Sequence, residues 1–178
     1  MQLNEVIQNE NVDFTGIESP YFLLGLLSAF DNRFQAIADR LIGEISWKQF
    51  FTIICIKLCK ESPTLQQLAD VMGTSHQNCK QLLLKLDKKG FVALESDPAD
   101  RRRQRIRLTE HCLAFCEAND ENSQRIMEQM FAGIPEEHLR ITIQTIIQME
   151  QQLMALAAPA KPSTGTKPES STDRRTSP

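Results

Sequence analysis

The amino-acid sequence predicts a mostly α-helical chain with one small β-hairpin, and three observations carry that expectation. Apolar residues recur at helical spacing from Phe22 to Leu41 and again through the C-terminal third. Serine or threonine followed three residues later by glutamine marks helix starts at Ser46 and Thr64. Between positions 91 and 108, two short alternating segments flank a turn rich in Pro and Asp, the pattern of paired strands.

The elements follow in order. Residues 1–18 are a polar extension without a clear period. Ser19 and Pro20 predict an N-cap and a first-turn proline. Phe22, Leu26, Phe30, Phe34, Ile37 and Leu41 then form one face of a long amphipathic helix. Ser46 and Gln49 open a second helix, WKQFFTIICIKLCK, apolar nearly all round and so expected at the centre of the fold. Thr64 and Gln67 open the short helix LQQLADVM, stopped by Gly73, and Ser75 caps HQNCKQLLLKLDKK, stopped by Gly90. Two short helices across a tight Gly-containing turn predict a helix-turn-helix. FVALE and QRIRL read as strands on either side of DPADRR. Thr109 caps a fifth helix ending near Ala132, and Pro135 starts a sixth that ends at Ala157. Residues 158–178 lack any large apolar side chain, so burial cannot offset the entropy of ordering them, and this tail is expected to be disordered.

A chain of 178 residues holds one domain plus tails. Its net charge of −3 conceals a strong asymmetry. From Thr74 to Arg107 nine bases face four acids, a surplus of +5, which leaves −8 for everything else. Five of those bases are arginines packed into positions 101–107. So concentrated a positive spot points to a polyanionic partner. The opening MQLNEVIQNENVDF is acidic and polar, unlike a secretory signal, and the longest apolar run, at 21–30, is half a membrane span. Five cysteines without disulfide spacing fit a reducing compartment, so a cytoplasmic location without a membrane partner is expected. No cofactor, no metal and no enzymatic activity are expected: His76, His111 and His138 do not cluster, and no phosphate-cradling Gly loop is present.

GFVALESDPADRRRQRIRLTE, preceded by TLQQLADVMGTSHQNCKQLLLKLDKKG, resembles the wing and helix-turn-helix of the MarR (multiple antibiotic resistance regulator) family. The likeness runs in order of elements over residues 20–157 and is most specific over 64–110. Cys79 departs from it, standing where the family usually has an aliphatic residue. The resemblance implies a winged helix-turn-helix domain over 19–157, with a DNA-binding lobe at 64–108 and N- and C-terminal dimerisation helices at 19–42 and 109–157. It further implies a transcriptional regulator, most often a repressor, that grips a palindromic operator on double-stranded DNA as a homodimer. A small aromatic or anionic effector would modulate it. Two alternatives stand beside this reading: a thiol-sensing regulator of the same type, and a winged helix used only to bind proteins.

Candidate site residues follow from residue type and period. On a helical wheel of 76–89, Cys79, Leu82, Leu83 and Leu86 face inward, while Gln77, Lys80, Gln81, Leu84 and Lys88 face outward, with Asn78 and Lys85 at the margin. Ser75, Gln77, Asn78, Lys80, Gln81 and Lys85 are therefore the expected major-groove set: amides match the adjacent acceptor and donor of adenine, and lysines meet phosphates. In the returning strand Ile106 and Leu108 alternate with Arg105 and Arg107, which places both arginines away from the core. The family's Asp-x-Arg falls on Asp100 and Arg102, implying that Asp100 braces the wing and Arg102 enters the minor groove. Arg101, Arg103 and Arg105 are assigned to phosphates. Guanidiniums crowded this closely repel one another and gain nothing in the free protein, a penalty a polyanion removes. The blander reading is a solvated charge run with surface ion pairs.

Phe30, Phe34, Trp47, Phe50 and Phe51 are the expected lining of the effector pocket, although aromatics at helical spacing also serve as plain core. Cys55 with Cys59, and Cys112 with Cys116, lie one helical turn apart: either thiol switches or small hydrophobes. Leu139, Ile143, Ile146, Ile147 and Leu153 form one apolar face, and Phe22, Leu26 and Phe30 another. These are expected to meet in a dimer, the competing arrangement being closure of a single-chain bundle.

Overall fold

The computed structural model describes residues 13–97, 100 and 103–157. The tail expected to be disordered, most of the polar extension, and Arg101 and Arg102 of the wing all lie outside these residues. Among the described residues the order is α1 (Ser19–Ile42), α2 (Trp47–Leu58), α3 (Leu65–Val71), α4 (His76–Lys88), β1 (Val92–Ser96), β2 (Gln104–Leu108), α5 (Glu110–Phe131) and α6 (Glu136–Ala157). This is the mostly helical winged helix-turn-helix expected. The chain divides within α5 into two compact units, one ending at Glu121 and the other beginning at Asn122.

Local chemistry sets the helix ends of the first unit. Both expected capping boxes form: the Ser46 and Thr64 hydroxyls accept from the backbone amides of Gln49 and Gln67, each at 3.3 Å. The two glutamine side chains return the bond to the cap amides at 3.0 and 2.9 Å. Each helix of the helix-turn-helix then stops at a left-handed glycine, Gly73 at φ 61° and Gly90 at φ 74°. After α3, Gly73 N–H donates to Asp70 O at 3.2 Å and Thr74 N–H to Ala69 O at 3.0 Å. After α4, Gly90 N–H donates to Asp87 O at 2.8 Å and Phe91 N–H to Leu86 O at 2.9 Å. Both are Schellman stops, which need a residue free to take positive φ. Helix α1 differs from expectation by one residue. Glu18 is its N-cap and Ser19 already lies in the first turn. First-turn amides have no helical partner, so the N–H that Pro20 lacks costs nothing there. Phe14, from the polar extension, packs edge-on against Phe22 with ring centroids 5.7 Å apart.

The core gathers Ile45, Ile53, Cys55, Ile56, Leu68, Ala69, Cys79, Leu83, Leu86, Phe91, Val92, Ile106 and Cys112. Helix α2 supplies the centre, as its all-round apolarity predicts, and its buried Thr52 hydroxyl is satisfied by Lys48 O at 2.7 Å. Strands β1 and β2 pair antiparallel from Val92↔Leu108 to Ser96↔Gln104. Val92 and Ile106 face the core. Strand β2 is also tied to the segment before α3, since Ile106 N–H donates to Pro63 O at 2.9 Å and Thr64 bridges Arg105. Thr109 joins wing to α5: its hydroxyl donates to Gly90 O at 2.6 Å and accepts from Cys112 N–H at 3.2 Å.

In the second unit, Gly133 at φ 76° turns the chain between α5 and α6. Glu136 and Glu137 occupy the first turn of α6, where acids favour the helix dipole. No residue of α6 is buried. Among the described residues, no helix is long and apolar enough to cross a membrane.

Candidate nucleic-acid interface

Helix α4 separates its two faces cleanly. Cys79, Leu82, Leu83 and Leu86 are buried, while Gln77, Lys80, Gln81 and Lys85 are exposed. Ser75 Oγ accepts from Asn78 N–H at 3.2 Å and so starts the helix. Asn78 Nδ2 in turn donates to Thr74 Oγ1 at 2.8 Å, bracing the turn against the helix it opens. Lys80 and Lys85 enter no ion pair among the described residues. Leu84 stands among them, 47% exposed, an apolar group on an otherwise polar face.

Arg103, Arg105 and Arg107, the arginines of the wing among the described residues, are each paired with an acid. Its acids interleave with its arginines. Arg107 pairs with Glu95 at 3.1 Å and Arg103 with Asp100 at 3.4 Å. Both pairs are open to solvent and worth roughly 0–1 kcal/mol, so either arginine can exchange its partner for a phosphate. Asp100 O also accepts from Arg103 N–H at 2.8 Å, a turn bond at the wing tip.

Arg105 departs from expectation. Strand alternation turns it away from the hydrophobic core, but its guanidinium folds onto the base of the wing. Nε donates to Asp97 Oδ2 at 2.6 Å and a terminal nitrogen to Ser62 O at 3.0 Å. The Asp97 side chain is only 5% exposed and that of Arg105 28%. The reason is the spatial closeness of the loop before α3, whose carbonyls border β2. A phosphate contact by Arg105 would have to draw its guanidinium from a buried carboxylate.

No protein-family model matches the chain. Its three-dimensional structure is similar to several solved regulators. A MarR/EmrR family transcriptional regulator from Acinetobacter sp. ADP1 superposes with a TM-score of 0.66 at 15% identity, covering 76% of this chain and 99% of the other. MepR of S. aureus, solved as a DNA complex, gives 0.66 at 18% identity over 76% and 98% of the two chains. The organohalide-sensing regulator RdhR, ligand-free, gives 0.71 at 18% identity over 85% and 91%. The fold is of the MarR type.

Within this MarR-type fold a cavity of about 550 Å³ opens beside the helix-turn-helix. Asp31, Phe34 and Gln35 of α1 form one wall, Trp47, Lys48 and Phe51 of α2 another. Met72, Gly73 and Thr74 of the turn close it with Asn78 and Leu82 of α4. Phe34 meets Trp47 edge-on at 4.7 Å, and Phe51 stacks on Trp47 at 6.1 Å. Phe30 and Phe50, expected in the lining, are not part of it. Phe30 stacks on the outer side of the aromatic cluster at 5.9 Å from Phe34 and is 53% exposed. Phe50 packs against the hydrophobic core. The turn residues and Asn78 join the lining from a part of the chain whose sequence pattern speaks only of DNA contact.

The cysteines behave as apolar residues. Cys55, Cys79 and Cys112 are buried, while Cys59 and Cys116 are half-buried. Cys59 Sγ–H donates back to Cys55 O at 3.3 Å. Burial pushes the Cys79 thiol up to about 11 and raises Cys55 as well, and burial followed by the neighbouring Cys116 raises Cys112. These three buried thiols are kept protonated, and the thiolate is the reactive form; Cys59 and Cys116, the second member of each expected pair, are half-buried. Among the described residues no group of three or more His, Cys, Asp or Glu is arranged to hold a metal. A pH dependence follows. Unfolded thiols ionise near 9.0, whereas folded Cys79 holds its proton to about 11. The two states are alike below 9; above it the unfolded chain sheds protons that the folded chain keeps, and stability falls until the folded value is passed. Urea midpoints measured in reductant are expected to drop between about pH 9 and about pH 11, with the drop smaller in Cys79→Ala. Equal drops in both proteins would remove Cys79 as a cause.

Proposed function

We propose that this chain is a transcriptional regulator that binds double-stranded DNA in a sequence-specific manner, as a homodimer on a palindromic operator, and acts as a repressor modulated by a small effector. The observation that carries the proposal is α4. It is capped and stopped at both ends, buries four apolar residues, and presents Gln77, Lys80, Gln81 and Lys85 to solvent. Amides that both donate and accept, followed by lysines, suit base edges flanked by phosphates. MepR of S. aureus, similar in fold, was solved bound to DNA, which supports the same partner here. On the wing, Asp100 braces the tip and Arg103 and Arg107 offer exchangeable charge. By resemblance, Arg102 is the minor-groove residue and Arg101 a phosphate contact.

Apolar surface supports the homodimer. Ile143, Ile147, Leu153 and Met154 of α6 are 58, 49, 63 and 61% exposed, and Tyr21 and Leu24 of α1 are 70 and 54% exposed. Faces this apolar are covered in stable proteins. Two-fold pairing would double the base contacts across a palindrome. Selection of bound sequences from a random duplex pool tests the whole reading. A palindromic consensus whose affinity falls steeply with salt is expected; no enrichment, or binding indifferent to salt, removes the regulator reading.

The cavity beside the helix-turn-helix supports the effector. Three aromatic rings suit a flat ligand, Lys48 offers an anionic substituent a cation in a lining that also holds the Asp31 carboxylate, and Trp47, the only tryptophan in the chain, reports on occupancy. Benzoate-type anions are expected to quench Trp47 emission, and Phe34→Ala to weaken that binding by about tenfold. Quenching unaltered by Phe34→Ala would place the ligand elsewhere.

A further inference from the structure

The structure assigns Arg105 and Asp97 a task distinct from DNA contact: together they clamp the base of the wing onto the loop before α3, and Arg105 is a positioning residue. The inference deepens the DNA-binding reading and rests on it. Asp97 directly follows β1 and Arg105 lies inside β2, so their 2.6 Å ion pair joins the two ends of the wing loop. A second bond fixes that joint to the body of the lobe, from the Arg105 guanidinium to Ser62 O at 3.0 Å. Backbone bonds run in the same place: Asp97 N–H to Arg103 O at 2.9 Å, Ile106 N–H to Pro63 O at 2.9 Å, and the bridge between Thr64 and Arg105. The wing is thus held at its root from both strands, while the pairs of Arg103 and Arg107 are solvent-exposed and exchangeable.

Burial decides which arginine does what. Moving Arg105 to a phosphate would take a close cationic partner from the Asp97 carboxylate, which is 5% exposed, and weakening the pairing of a buried charge is costly. Arg103 loses only an exposed pair when it turns to a phosphate. A rooted wing meets DNA without first being ordered, and pre-ordering is affinity that needs no contact.

Charge gives the test its sign. Asp97→Asn removes a negative charge from the wing; a wing acting through charge alone would bind DNA more tightly. The clamp predicts the opposite. Asp97→Asn and Arg105→Gln are each expected to weaken duplex binding about tenfold, the cost of re-ordering the freed side chains on binding. The double variant is expected to be no weaker than the worse single one, because both remove one joint. Arg105→Gln should keep the parent's salt dependence, whereas Arg103→Gln should lower the slope by about 0.9 per protomer, the signature of a lost phosphate. Hydrogen exchange without DNA should quicken at the amides of Arg103 and Ile106 in both clamp variants. Asp97→Asn keeps the side-chain shape, so it carries the comparison if Arg105→Gln does not fold. Tighter binding by Asp97→Asn, or a slope lowered by Arg105→Gln, would overturn the clamp and return Arg105 to the phosphates. If the unmodified chain binds no duplex, the regulator reading fails by itself, and unchanged exchange at Arg103 and Ile106 then removes the clamp as well.

Discussion

Replacing Lys80 and Lys85 together by alanine is expected to lower duplex affinity about a thousandfold at about 0.15 M salt, with little change in stability. The magnitude comes from counterions. Each lysine that neutralises a phosphate contributes about 0.9 to the slope of log affinity against log salt, and two lysines in each of two protomers make that about 3.6. Both side chains are exposed and enter no ion pair among the described residues, so the folded chain loses only a fraction of a kcal/mol of dipole interaction from Lys85 near the end of α4. Titration at several salt concentrations reads the slope directly. An unchanged slope would take both lysines off the backbone. Gln81→Ala should behave differently: the slope stays and preference at particular bases relaxes by about 1–3 kcal/mol.

The largest loss of stability is expected from Phe91→Ala, about 3–5 kcal/mol. Phe91 is fully buried, with its ring 4.7 Å from His111 and 5.1 Å from Phe115, both edge-on. Its backbone is committed as well: the amide completes the stop after α4, and the carbonyl accepts from Thr109 N–H at 3.1 Å. Surroundings fixed by so many backbone bonds collapse little around a lost ring, which puts the cost at the upper end of the usual range. Phe91→Leu retains most of the volume and should cost less than half as much. Urea unfolding at constant m-value measures both; a loss under about 1 kcal/mol for the alanine variant would mean that the site closes up freely.

What the sequence reveals divides by distance along the chain. Caps and stops depend on residues three to five apart, so Ser46–Gln49, Thr64–Gln67, Gly73 and Gly90 are legible from neighbouring residues alone, as is the buried stripe of α4. The placement of Arg105 is not legible in this way, because its guanidinium is held both by Asp97, 8 residues away, and by Ser62, 43 residues away. Alternation along a strand says only which face a side chain leaves from. The aromatic cluster is half legible for the same reason. Helical spacing groups Phe30 with Phe34 and Trp47 with Phe50 and Phe51, but only the neighbouring helices decide which ring lines a cavity and which faces solvent or core. The cysteine pairs are ambiguous in sequence, because one turn of spacing does not show that Cys55 and Cys112 are buried while Cys59 and Cys116 are only half-buried.

Asn78 stands where two surfaces meet: it belongs to the first turn of α4, the helix proposed to read DNA, and it also lines the cavity while its amide holds Thr74. An amide has one orientation at a time. In a regulator built this way, what the helix reads and what the cavity senses share a residue, and neither specificity drifts alone. Under the proposed function, a change that suited a new operator at this position would also change chemical sensitivity, and the two traits would be inherited together.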